Sequence, residues 1–471
     1  MPRKQAPRKG RKPAYWWNES ISAECLKARM IAQRTKTREN ANECRELYKA
    51  AKLALNREIK ASKRACFNEL CREADTNLWG SVYRIMMKKI RGPSMPQESC
   101  PEKLAVIVSG LFPQHEAVTW PTTPYEQEDE ELPVTTEEIV SAVSKFKTNK
   151  APGPDGIPNV VLKAIAQLNP EMLRSTMQKC MEEGRFPDRW KRQKLVLLPK
   201  PGKPPGDPSS FRPICLLDTL GKLLEVIIQN RLKIYTEGEN GLSTRQFGFR
   251  EGKSTVDAAL MVTGKARKAL EKKRRGDRFC GLITLDVKNA FNTANWIAIA
   301  EAMHRMRIPN YLCRMLKSYF ENRVLVYSTE EGDKEYQVTA GVPQGSVLGP
   351  TLWNAMYNGV LEMQLPRGVE IVGFADDIIL VATGKSRQEV DMLATEAFLA
   401  VENWMKAAKL QITPEKTEFV LVSNQRRLEE GLLAIGGHTI ASKRHLRYLG
   451  VMLDDRLNYN DHIARSVKRQ Q

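Results

Sequence analysis

The chain has 471 residues, enough for two or three domains, and 42% of them are hydrophobic, enough to build a core. Its 74 basic against 55 acidic side chains leave a net charge of +19, which points to a polyanionic partner. No long apolar run is present and no apolar stretch follows Met1, so neither a membrane span nor a secretory signal is expected and the chain reads as intracellular.

The charge is concentrated at one end. Residues 1–92 hold 23 basic and 9 acidic side chains, and runs such as Arg8-Lys9-Gly10-Arg11-Lys12 suit either nucleic-acid contact or nuclear import. Nine cysteines are scattered with no Cys-x-x-Cys, and none of the five histidines stands at zinc-ligand spacing to a cysteine pair. A disulfide framework and a zinc finger are therefore not expected; reduced, buried thiols are.

In chain order, residues 1–13 read as a disordered basic tail. From Tyr15 to Ile90 the composition predicts long helices, ended by Gly92-Pro93. Pro121 to Pro133 is Pro-rich and then acidic, a linker. Thr135-Thr136-Glu137-Glu138 starts an amphipathic helix with an N-cap and early acids. Short apolar strands are predicted at 195–199, 282–287, 370–375, 378–382 and 419–422. Helices are predicted at 217–234, 254–273, 295–306, 350–361 and 387–408. The class is α+β, with an antiparallel sheet covered by helices on one face.

Three acids stand out against this background. Asp286 ends an apolar strand, and Asp376 and Asp377 occupy the turn of an apolar hairpin. Carboxylates in such surroundings are costly unless solvated, paired or bound to metal. Adjacent acids in a tight turn also repel each other, which a divalent cation relieves. The chemistry that fits is two-metal phosphoryl transfer, with Mg²⁺ ions about 3.5–4 Å apart clamping the attacking and leaving oxygens. A single Asp-Asp pair is more often a solvated turn; the third acid on a separate strand favours the metal reading.

Phe374-Ala375-Asp376-Asp377 resembles the metal-binding hairpin of reverse transcriptases. Leu285-Asp286-Val287-Lys288-Asn289-Ala290-Phe291-Asn292 resembles their first metal-ligand strand. Gly341-Val342-Pro343-Gln344-Gly345-Ser346-Val347-Leu348-Gly349-Pro350 resembles the loop and helix start that hold template and nucleotide. The resemblance implies a right-hand polymerase fold and RNA-directed DNA polymerase activity, with Mg²⁺ (or Mn²⁺), RNA template, DNA primer or target and dNTPs as partners. It implies that Asp286 and Asp376 bind both metals, that Asp377 contributes less directly, and that the Val287 carbonyl faces a metal. Phe291 is the implied selector of deoxynucleotides, core packing being the plain alternative. Gln344 and Gly345 are expected at the nucleotide or template, Gly345 and Gly349 allowing close backbone approach.

Lys200, and more so Arg212 of Phe211-Arg212-Pro213-Ile214, are expected at the triphosphate, a surface lysine being the alternative for Lys200. Leu410 to Thr417 resembles the next motif, whose lysine, here Lys416, is a candidate proton donor to pyrophosphate. This chain has Lys409 and Thr413 where family members often carry Gly and Asn. His445 to Gly450 resembles the primer grip.

Asn149 to Gly156, Phe211 to Leu217 and Gln246-Phe247-Gly248-Phe249-Arg250 resemble non-LTR (LINE-type) retrotransposon enzymes rather than retroviral ones. The wording around Asp286 is closest to arthropod site-specific elements. Four segments follow: a basic, mainly helical N-terminal extension (1–105), an acidic, Pro-rich linker (106–134), fingers and palm (135–455), and the start of a truncated thumb (456–471). Tyr15-Trp16-Trp17-Asn18 resembles the stretch joining an endonuclease to the polymerase, a helix-packing staple being the alternative. The expectation is a fragment without endonuclease or full thumb, acting in the nucleus. The competing expectation is a catalytically inactive nucleic-acid-binding remnant. A group II intron-type polymerase is a cousin, told apart by a maturation domain after the thumb. A phosphate-binding loop at Gly248 to Ser254 is rejected, since three residues rather than four separate its glycines.

Overall fold

The computed structural model describes residues 17–34, 41–76, 100–116, 120, 132–204, 206–271, 278–425, 429–435 and 438–470. The basic tail, Tyr15, Trp16, the Gly92-Pro93 break and most of the Pro-rich acidic stretch lie outside them. The chain divides into two compact units, 1–97 and 98–471.

The first unit is an antiparallel helical hairpin, α1 (Glu19–Arg34) on α2 (Ala41–Thr76). Asn18 caps α1 by accepting from the Ile21 amide at 2.9 Å. Its amide group reaches Ser62 while Ser20 reaches Glu58, which fixes the direction of the pair. Ile21 and Ala28 are buried.

The second unit begins with α3 (Pro101–Leu111). Leu104, Ile107, Val108 and Leu111 recur at helical spacing and are buried. The expected extension–linker boundary at 105/106 falls inside this helix, because that apolar stripe is claimed by the main core. Helices α4 (Thr136–Ser144), α5 (Asn159–Leu168) and α6 (Pro170–Glu182) pack together, and α4 and α5 also pack on a later helix, Thr219–Thr236. As predicted, Thr135 caps α4, accepting from the Glu138 amide.

The short helix α7 (Asp188–Lys191) leads into a mixed sheet of β1 (Arg192–Pro199), β2 (Phe211–Leu216), β4 (Val324–Thr329) and β5 (Gly332–Gln337), in the order β2-β1-β4-β5. Its β1–β4 pair is parallel and the other pairs are antiparallel.

A second sheet has the order β6-β7-β3-β8, from β3 (Phe279–Leu285), β6 (Val369–Phe374), β7 (Asp377–Gly384) and β8 (Glu418–Ser423), all antiparallel. It is covered on both faces, a correction to the one-face expectation. Ile283, Leu285, Ile378 and Leu380 join one core with Val390 and Ala394 of a helix at Arg387–Ala407. Cys280, Leu282, Ile379 and Val381 join another with Ala258, Val262 and Ala266 of a helix at Thr255–Glu271, and with Leu446 and Tyr448. The reason lies in β3, whose Phe-Cys-Gly-Leu-Ile-Thr-Leu run does not alternate; strands buried on both faces read as continuous apolar runs.

The remaining helices are α8 (Thr219–Thr236), α9 (Thr255–Glu271), α10 (Trp296–Arg305), α11 (Asn310–Phe320), α12 (Gly349–Glu362), α13 (Arg387–Ala407) and α14 (Asn460–Gln470). Two small hairpins, β9–β10 (Leu432–Ile435, His438–Ala441) and β11–β12 (His445–Tyr448, Val451–Asp454), follow β8. Among the described residues no helix is long and apolar enough to cross a membrane.

Candidate active site

β3 and the β6–β7 hairpin bring the three acids together. Phe374 pairs with Asp377, so Ala375 and Asp376 form the turn between β6 and β7. The register Leu285↔Ile378 carries Asp286, one residue on, to the level of Asp377. Cross-strand neighbours at that spacing are about 4.5–5.5 Å apart at Cα.

The turn is held from beneath. Ala375 sits in left-handed backbone at φ 58, which an L-residue adopts only under constraint. The constraint is visible. The buried Gln246 side chain accepts from the Ala375 and Gly248 amides at 3.1 and 3.0 Å. Trp353 on α12 donates its indole N–H to the Ala375 carbonyl at 3.2 Å, and Tyr357 one turn later donates its hydroxyl to the Asp376 carbonyl at 3.2 Å. Gly248 must be glycine, because a Cβ there would lie 2.1 Å from the Ala375 nitrogen.

The electrostatics are those of acids with too little solvent and too many like neighbours. Burial, then Asp376 and Asp286, pushes Asp377 up to about 6. Burial and Asp286 raise Asp376. Burial, followed by all three aspartates, holds the Tyr357 phenol well above its ordinary value. Lys416 lies 2.7 Å from the Asp286 Oδ2.

The other sequence-predicted residues fall as follows. Val287 is buried beside Ile412 in an antiparallel bridge. That bridge uses the Asp286 carbonyl and Lys288 amide, not the Val287 carbonyl. Lys416 ends a short 3₁₀ turn, Pro414–Lys416. Lys200 donates to the Ser209 carbonyl at 2.8 Å; burial, then Lys203, Lys416 and Arg212, lowers its pKa. Lys200, Arg212 and Lys416 therefore share one neighbourhood with Asp286, and Arg212 is exposed on β2. Phe291 is half-buried, stacked on Trp353 at 5.2 Å and edge-on to Phe249 at 5.8 Å.

Gln344 is half-buried, and its carbonyl accepts from the Cys215 amide of β2 at 2.8 Å. Gly345, at φ 130, has no room for a Cβ, which would lie 2.4 Å from the Cys215 carbonyl oxygen. At Gly349 a Cβ would lie 2.7 Å from the Ser346 hydroxyl. Gly345 is thus required by the protein's own packing, a reason additional to approach by nucleic acid, while the contact at Gly349 is with a hydroxyl that can turn aside. Tyr448, in the segment resembling a primer grip, is buried close enough to Asp377 for that acid to raise its phenol further.

Gln246, Trp353 and Tyr357 were not singled out from sequence. Gln246 and Gly248 belong to the Gln246–Arg250 motif, but the turn they meet, at 375–376, lies about 130 residues away.

The profile of the reverse transcriptase (RNA-dependent DNA polymerase) family matches residues 198–453, which include every candidate site residue named above. The chain belongs to the reverse transcriptase family. Its fold class is that of the right-hand polymerases, with the three acids at one end of the β6-β7-β3-β8 sheet and Arg212 on the β2-β1-β4-β5 sheet.

Among curated relatives, a Pol polyprotein from the type-1 retrotransposable element R1 of Bradysia coprophila is 28% identical, over 95% of this chain and 46% of that protein. A putative 115 kDa protein in the R1 element of Drosophila melanogaster is 31% identical over 71% of this chain and 32% of that protein. The RNA-directed DNA polymerase from the mobile element jockey of Drosophila funebris is 31% identical over 73% and 37%. The relatives are arthropod non-LTR elements, as the sequence motifs implied. The chain spans less than half the length of each of these three.

The family's chemistry uses divalent metal ions. Among the described residues no three His, Cys, Asp or Glu side chains stand in metal-holding geometry, with Asp286 drawn onto Lys416. The donor set nonetheless suits a hard cation: carboxylate oxygens of three aspartates, of which, among the described residues, only Asp286 makes an ion pair, with the exposed Lys416 ammonium.

Proposed function

We propose that this chain is an RNA-directed DNA polymerase that extends a primer 3′-OH with dNTPs on an RNA template, within a non-LTR retrotransposon protein acting on chromosomal DNA in the nucleus. The observation that carries this reading is the convergence of Asp286 with Asp376 in the β6–β7 turn and Asp377 at the start of β7, at one end of the β6-β7-β3-β8 sheet, which we take as the palm, the β2-β1-β4-β5 sheet lying in the fingers. Asp286 and Asp376, with Asp377 and the Val287 carbonyl beside them, would hold Mg²⁺, or Mn²⁺ in its place. When bound, the divalent ions would supply Lewis-acid activation of the 3′-OH and charge neutralisation at the triphosphate.

The chain's own residues do the rest. Arg212 and Lys200 hold the triphosphate from the fingers, a guanidinium pairing bidentately with phosphate oxygens. Phe291, fixed between Trp353 and Phe249, presents a rigid edge where the sugar lies and excludes a 2′-OH. Gln344 contacts the base pair being formed. Lys416, freed from Asp286, carries a proton to the leaving pyrophosphate.

The test is primer extension by the purified chain on an RNA template with an annealed DNA primer, dNTPs and Mg²⁺. Stepwise addition of deoxynucleotides is expected. Absence of product while primer–template stays bound would overturn the reading in favour of a non-catalytic binding protein.

A further inference from the structure

Glu225, on α8, is 1% exposed, and the chemistry above makes no use of it. A buried carboxylate costs several kcal/mol unless its lone pairs are satisfied. Glu225 spends its acceptors on the start of α12: its Oε2 accepts from the Val347 amide and, at 3.2 Å, from the Leu348 amide. These are unpaired donors at a helix N-terminus, where a negative charge is also favoured by the dipole. One turn further along α8, Gln229 donates to the Val347 carbonyl at 3.4 Å and the Thr351 hydroxyl at 3.3 Å. The Cys215 amide, on the strand that bears Arg212, holds the Gln344 carbonyl.

Three contacts on residues 344–351 thus come from the one stretch 215–229: the Cys215 amide, the Glu225 carboxylate and the Gln229 amide group. The helix so anchored is the one whose Trp353 and Tyr357 hold the 375–376 turn and whose Trp353 backs Phe291. Burial raises the Glu225 carboxyl above its ordinary value, and buried Arg323, then the Val347 and Leu348 amides and Lys222, pull it back; Arg323 is the main source of compensating charge. Two of its nitrogens make no hydrogen bond. The pair therefore acts through space rather than as a locked salt bridge.

We infer that Glu225 is a positioning residue for nucleotide selection: by capping α12 it sets the Gln344 loop of the palm in register with the fingers strand that carries Arg212. This rests on the polymerase reading above. It predicts that loss of the cap loosens the nucleotide site before it touches the chemistry.

Glu225→Met keeps the side-chain volume and removes the acceptor; Glu225→Gln keeps an acceptor. With RNA template and DNA primer, Glu225→Met is expected to raise the dNTP KM by about tenfold or more, with kcat changed by less than about threefold, and Glu225→Gln to restore KM to within about threefold. Hydrogen exchange over residues 344–351 is expected to quicken in the Met variant. Met and Gln variants that are equally impaired, or a loss that falls on kcat with KM unchanged, would overturn the inference.

If Glu225→Met does not fold, exchange in Glu225→Gln decides. A neutral acceptor is weaker than a carboxylate, so faster exchange at Val347 and Leu348 is expected, and unchanged exchange sinks the idea. A wild type that extends no primer fails the proposed activity instead, and the exchange comparison still decides whether Glu225 holds the loop.

Discussion

Lys409 occupies left-handed backbone at φ 58, one residue past the C-cap of α13. The Leu410 amide reaches the Met405 carbonyl at 2.8 Å and the Lys409 amide the Lys406 carbonyl at 3.1 Å, a Schellman ending whose left-handed position normally goes to glycine. The departure from the family's wording at this position therefore leaves the turn intact, at the price of strain. Left-handed backbone costs an L-residue about 1–2 kcal/mol, and glycine loses about 0.5–1 kcal/mol more entropy on folding. Lys409→Gly is expected to stabilise the chain by about 0.5–1 kcal/mol, read as a higher urea midpoint at unchanged slope; a lower midpoint would contradict this. The same turn delivers Ile412 to Val287 and Lys416 to Asp286, so a strained backbone sits two steps from the acids. At this scale the acids were legible because carboxylates in apolar surroundings need a reason. Ala375, with φ 58 and no sequence mark, was not.

Helix α12 is the element on which the site is built. Its start is capped by Glu225, and its second and third turns reach Ala375, Gly248 and Asp376 through Trp353, Asn354 and Tyr357. Removing the Tyr357 hydroxyl leaves the Asp376 carbonyl short of a donor, so Tyr357→Phe is expected to cost about 1–2 kcal/mol and to slow primer extension without abolishing it. Abolition to the level of a carboxylate variant would instead give Tyr357 a part in the chemistry. Element positions were readable wherever an apolar run or a helical stripe was strong: β1, β3, β6, β7 and β8, with α8, α9, α10, α12 and α13, fall close to their predicted spans. β5 left no sequence signal, since its Gly-Asp-Lys-Glu-Tyr-Gln is exposed and carries no alternation; an edge strand can be charged because little rests on it. The parallel β1–β4 pairing was equally illegible, since partners more than a hundred residues apart leave no local trace.

The whole molecule carries its charge unevenly, and that has a measurable consequence. Lys52, Arg57, Lys60 and Arg64 are exposed along α2, in the unit that holds most of the net positive charge. Each phosphate contact contributes about 0.7–0.9 to the slope of log affinity against log salt. Replacing the four by glutamine is expected to flatten that slope for an RNA–DNA primer–template, leaving binding at low salt weaker; an unchanged slope would show that this hairpin does not touch nucleic acid. Composition marks the basic helical stretch, and the chain parts into two compact units at 97/98. The apolar stripe of α3 sits beyond the charge block and belongs to the polymerase core. The central claim is that Asp286, Asp376 and Asp377 form one metal-dependent centre. It is tested most directly by primer extension on an RNA template with the wild type beside Asp376→Ala/Asp377→Ala, with primer–template binding and melting temperature measured on both. The expected result is extension by the wild type alone, with binding and folding retained in the variant. Extension by the variant at a comparable rate would contradict the account.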